Sequence, residues 1–98
     1  MTNANPRPQA TPDVQVDNDR LRVTRWSFAP GAETGWHRHE MDYVVVPVVD
    51  GTLLIENGDT SQPFELVAGQ SYARKAGVEH NVVNGSAHPI AFVEIELR

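Results

Sequence analysis

The 98-residue chain contains no cysteine, which excludes both a disulfide frame and thiolate metal ligation. Any transition metal would have to be held by histidine or oxygen ligands. Basic residues are scarce: eight Lys and Arg against thirteen Asp and Glu give a formal charge of −5. Such a balance repels phosphate backbones and leaves no basic stripe for nucleic acid. No apolar run approaches the roughly 20 residues that span a bilayer, and Met1 to Pro12 has no apolar leader-like core. These absences lead us to expect a soluble, cytoplasmic protein with neither nucleic acid nor membrane among its partners. The length suits one domain with a modest core, to which a partner subunit would add burial. A single barrel or sandwich is expected.

Prolines at 6, 8 and 12 among small polar residues predict a flexible or extended N-terminal arm over residues 1–12, outside the core of a β-barrel formed by residues 13–98. From Val14 onward, short apolar and β-branched runs alternate with turn chemistry, and no 3.6-residue period appears, so the domain reads as all-β. Expected strands are 20–28, 34–39, 43–49, 52–56, 63–66, 71–74, 80–84 and 89–97. Asn57-Gly58-Asp59 and Asn84-Gly85 are strong hairpin signals, because Asn and Gly tolerate the positive φ of a tight turn. Leu21 and Val23 share one parity while Trp26 and Phe28 share the other, which predicts a bulge near Thr24 or Arg25. Pro47, inside an otherwise central-looking run, predicts another bulge or an edge.

The chemistry gathers at His37-Arg38-His39. On a strand, residues two apart point to one face about 7 Å from each other, so the two imidazoles converge, as ligands of a metal would. Gly31, His37-Arg38-His39 and Gly51 resemble the first motif of the cupin superfamily. Gly69, then Lys75-Ala76-Gly77-Val78-Glu79-His80 and Asn84 resemble its second, with Lys75 where the family usually has proline. The resemblance implies a double-stranded β-helix, or jelly-roll barrel, with His37, His39 and His80 as metal ligands. It also implies a homodimer by family habit. The chain is similar to a group of small bacterial cupins labelled β-alanine degradation proteins, a label that gives a pathway association rather than a reaction.

One family feature is missing. The first motif carries a glutamate beyond its second histidine; here glycine spacing selects Val44 for that place and strand parity selects Tyr43. Tyr43 is preferred as the inward residue, with Pro47 absorbing the extra position in a bulge. Glu40 and Asp42 should face away from the histidines. Three neutral imidazoles would leave a divalent ion (Fe, Mn, Co, Ni, Cu or Zn) its full charge and an open position, favouring an anionic or chelating ligand.

Tyr43 is then a pocket wall, and Arg74, sharing a face with Tyr72, either forks onto a substrate carboxylate or pairs outward with Glu94 or Glu96. Candidate general bases are Tyr43, Glu79 and Glu94, although parity turns Glu79 away from His80. Trp26, Phe28, Trp36 and Phe92 read as core or subunit interface. His88 reads as a turn residue, and Asn84 as holding its turn.

The expected function is a metal-binding cupin that binds or converts a small carboxylate or dicarbonyl metabolite. Iron(II) dioxygenase-like chemistry is its sharpest form, and a lyase or isomerase is another. The alternatives are a non-catalytic binding module and a cupin that works without metal.

Overall fold

The computed structural model describes residues 6–98. Nine strands follow in chain order: β1 Thr11–Asp17, β2 Leu21–Phe28, β3 His37–Arg38, β4 Asp42–Pro47, β5 Gly51–Glu56, β6 Ser61–Leu66, β7 Tyr72–Arg74, β8 Glu79–Asn84 and β9 Ile90–Leu97. Among the described residues there is no helix. The strands form two antiparallel sheets, ordered β1-β2-β9-β4-β7 and β3-β8-β5-β6, as the all-β reading predicts. Between them lies a core of Phe28, Tyr43, Val45, Leu53, Leu66, Ile90 and Phe92. Burying each of the larger of these side chains stabilises the fold by about 1.5–3 kcal/mol.

β4 shows the alternation that half-buried strands require: Tyr43, Val45 and Pro47 are buried while Asp42, Val44 and Val46 are more open. Neither expected bulge is found. β4 pairs with β9 without a slip from Asp42↔Leu97 to Pro47↔Phe92. Pro47 is tolerated because it is the last residue of the strand. β2 likewise pairs with β9 without interruption, and the register shift lies on β1, between Val14 and Val16. The parity change in β2 has another cause. Arg22, Thr24, Trp26 and Phe28 all face inward, and polar residues occupy that face because it lines a cavity.

The expected strand 34–39 shrinks to His37–Arg38, since Gly35 at φ 88° interrupts the extended backbone. Asn57-Gly58 makes the predicted turn, with Gly58 at φ 99° and Asn57 N–H donating to Thr60 O at 3.1 Å. Asn84-Gly85 does not form a hairpin; it starts the crossover from β8 to β9 in the opposite sheet. Gly85 is needed there because Leu54 Cγ stands 2.9 Å from where a Cβ would sit.

The N-terminal arm is less separate than composition suggests. Ala10 is 3 % exposed and belongs to the core, and β1 already begins at Thr11. Arg7 forms ion pairs with Glu33 and Glu56. Residues 1–5 of the expected arm lie outside the described residues.

Candidate metal centre and its cavity

His37 and His80 sit directly opposite each other where β3 pairs with β8, so their side chains share a face. His39 follows in the turn before β4. Its N–H donates to Val78 O at 2.8 Å, and Gly77, at φ 99°, donates its N–H to His39 O at 2.7 Å. The result is a convergence of three ring nitrogens: Nε2 of His39 lies 3.1 Å from Nε2 of both His37 and His80. His39 and His80 are buried.

The tautomer of His37 follows from its partner. Nδ1 is 2.8 Å from Gly35 O, a carbonyl that can only accept, so Nδ1 carries the proton and Nε2 directs a lone pair to the shared point. Gly35 is held by Asn81, whose Oδ1 accepts its N–H at 2.9 Å and whose Nδ2 donates to Glu33 and Glu56. Burial, followed by the neighbouring histidines, pushes His39 down to about 4. Burial, then His37 and Arg74, does the same to His80. At neutral pH both rings are uncharged electron-pair donors. Nitrogens bound at about 2.1 Å to one ion and roughly at right angles would stand about 3 Å apart, which is the spacing of His39 Nε2 from the other two. The donor set therefore fits a divalent transition metal.

The cluster opens on a cavity of about 670 Å³ lined by both sheets, with Trp26, Val45, Phe64 and Tyr72 on its apolar side and Arg22, Arg74, Glu94 and Glu96 among its charged groups. Comparison with known proteins decides the family: the cupin domain model matches residues 24–96. The chain is a cupin.

Over 92 residues, covering 94 % of this cupin and 97 % of its relative, it is 64 % identical to the β-alanine degradation protein BauB of Pseudomonas aeruginosa. The crystal structure of a cupin domain from Bordetella pertussis Tohama I is 55 % identical and superposes with a TM-score of 0.94, covering 97 % and 99 % of the two chains. A cupin-2 domain protein from Shewanella frigidimarina is more distant, at 28 % identity, a TM-score of 0.63 and coverage of 90 % and 80 %.

In this cupin the inward residue at the missing glutamate's place is Tyr43, 3 % exposed, while Val44 lies on the other face. Its ring stacks on His39 with centroids 3.8 Å apart and planes 16° from parallel. Burial pushes the phenol up to about 12, with Glu94 adding to the effect, so it stands as a neutral donor. Arg74 lines the cavity with its guanidinium carbon 4.7 Å from the Tyr72 ring centroid and 5.5 Å from that of Phe64. The alternative pairing of Arg74 with Glu94 or Glu96 is not formed: among the described residues no carboxylate lies within 4.0 Å of it.

Glu79 is exposed and lies 3.9 Å from Arg38, which also pairs with Glu40. Asp42 accepts the Ala76 N–H. All three are turned from the histidines, as alternation predicts. Phe28 and Phe92 are core, Trp26 lines the cavity, and Trp36 is 56 % exposed. His88 is an exposed turn residue hydrogen-bonded to Asp50 O.

Sequence reasoning missed Thr34, Asn81 and Arg22, and it named Glu94 and Glu96 without grouping them. In the fold, one oxygen of each glutamate and a ring nitrogen of His39 lie within 4.8 Å of one another. The available signal was the inward parity of Arg22, Thr24 and Trp26 on a strand whose partner alternates Phe92, Glu94 and Glu96.

Proposed function

We propose that His37, His39 and His80 hold one divalent transition metal (Fe, Mn, Ni, Zn or Cu), and that this cupin binds or converts a small carboxylate or dicarbonyl metabolite beside it. The convergence of three Nε2 atoms on one point of the cavity supports this reading above all. When bound, such an ion would supply a Lewis acid and, as iron(II), a centre for dioxygen chemistry.

The protein's own groups divide the remaining work. Gly35 O fixes the His37 ring, the neutral Tyr43 hydroxyl can donate to an anion, and Arg74 can fork onto a carboxylate. Of the three candidate bases only Glu94 suits the task, since Glu79 faces solvent and Tyr43 titrates far above neutrality. The Pseudomonas relative's name ties that protein to β-alanine degradation, which agrees with a short amino or carboxylic acid as the metabolite. We further propose a cytoplasmic homodimer. The exposure of all seven β1 residues and of Trp36 supports the dimer, and sedimentation equilibrium at twice the chain mass is the check.

Protein made in metal-supplemented media is expected to carry near-stoichiometric metal that His37→Ala and His80→Ala both lose. Full occupancy in both variants would remove the site. Oxygen uptake by the iron(II) form against β-dicarbonyls and small amino or keto acids then separates enzyme from binder. No uptake with any of them, while binding persists, selects the non-catalytic module.

A further inference from the structure

Two opposite charges face the cavity without a counter-ion among the described residues. Among the described residues Arg74 donates only to the carbonyl of Ala73, at 2.9 Å. The Trp26 indole favours the charged form of Glu94, and among the described residues no cation lies within 4.0 Å of its carboxylate. Glu96 differs, because Arg22 Nε stands 3.9 Å from it.

The sheet sets the spacing. Rows across β7, β4, β9 and β2 read Arg74, Tyr43, Glu96, Arg22 and then Tyr72, Val45, Glu94, Thr24. Arg74 and Glu94 are thus two strands and two residues apart, about 12 Å between Cα atoms. Both side chains line the same cavity and form no ion pair within 4.0 Å, so a ligand that meets both must carry its two charges a short chain apart.

We propose that the cavity selects short zwitterions, with the carboxylate held by Arg74 and the ammonium between the Glu94 carboxylate and the Trp26 indole. The inference rests on the reading of this cavity as the ligand site and adds the class of ligand. Arg74 lies against Tyr72, which limits the freedom its planar fork would lose on binding a carboxylate. A half-buried carboxylate without a cation is costly, and an ammonium would relieve that cost while the indole face adds a cation–π contact. Discrimination should be asymmetric. A simple acid leaves Glu94 enclosed and unpaired, whereas a simple amine leaves only the exposed, hydrated Arg74 unpaired.

Three probes that carry both charges or one of them test this by calorimetry on the full chain, metal-loaded and chelator-treated: β-alanine, propionate and propylamine. β-Alanine is expected to bind at least about tenfold more tightly than either of the others, a difference of about 1.4 kcal/mol. Glu94→Gln should abolish its advantage over propionate while leaving propionate affinity unchanged. Arg74→Gln, at an exposed position, should weaken β-alanine and propionate alike and spare propylamine. Equal affinity for β-alanine and propionate, no binding of any probe, or a preference that survives Glu94→Gln overturns the proposal. Absence of metal from the purified protein would instead strike the metal reading, with the probe ratios still read on the chelator-treated sample.

Discussion

At Asn84 a single amide closes the crossover between the two sheets. Its side chain, 1 % exposed, donates to the carbonyls of Phe28, Ala29 and His88 and accepts the N–H of Ser86 at 2.8 Å. Asn84→Ala would strand these backbone groups in the interior, so urea unfolding should show a loss of about 2–3 kcal/mol. Glu94 affects stability through pH. Burial and, after it, Glu96 raise its carboxyl from 4.5 to about 7, so the folded state holds that proton more tightly than the unfolded chain. Its contribution is full below about pH 4.5 and disappears as pH rises through 7. In metal-free protein the stability of wild type minus that of Glu94→Gln should therefore fall between pH 4.5 and 7, by at most about 3 kcal/mol. The histidine contributions, which have the opposite sign, cancel in that difference. A flat difference curve would show that Glu94 is solvated. The inward placement of His37 and Tyr43 and the turn-holding bonds of Asn84 could be anticipated from motif and parity. The placement of Thr34 could not, because its hydroxyl, 3.3 Å from His37 Nδ1, is placed by the Gly35 kink.

Among the elements, β4 and β9 shape the site most. β4 carries Tyr43 and Val45 inward, and β9 sets Glu96 and Glu94 beside them. The strand that follows depends on a glycine for want of space: at Gly51 a Cβ would meet Ile90 Cγ2 at 2.5 Å and Ser86 Oγ at 2.9 Å. Ile90 is buried and cannot swing away. Gly51→Ala should cost about 1–3 kcal/mol in thermal or denaturant unfolding through overpacking. Gly51 was legible as a family landmark, but the reason for it, the close approach of the crossover to β5, appears only in the fold. The bulge expected in β2 failed for a different reason. Parity arguments assume an apolar interior, and the inward face of β2 and β9 is partly polar because it borders a cavity.

Across the whole molecule, the candidate centre joins the two sheets. His37 and His80 belong to the β3-β8-β5-β6 sheet, while His39 stands at the entrance to β4 in the other. An ion bound there would brace the barrel only in its folded state. With free metal at a hundredfold over its dissociation constant the gain is about 2.7 kcal/mol, which for a chain of this size means a melting temperature roughly 10 °C or more higher. Chelation should reverse that gain by calorimetry, and His80→Ala should melt at one temperature with or without chelator. Equal melting of wild type in both conditions would deny the brace.

The sequence alone determined the all-β class, the cupin resemblance, the three histidines and the inward Tyr43, because glycine-anchored motifs and strand alternation are local and periodic. Only the tertiary structure decided that Ala10 joins the core, that Arg74 stays free of Glu94 and Glu96, and that these groups share one cavity with the histidines. The physical reason is that β2, β4, β7 and β9 are far apart in the chain and become neighbours only through sheet order, which no local pattern encodes.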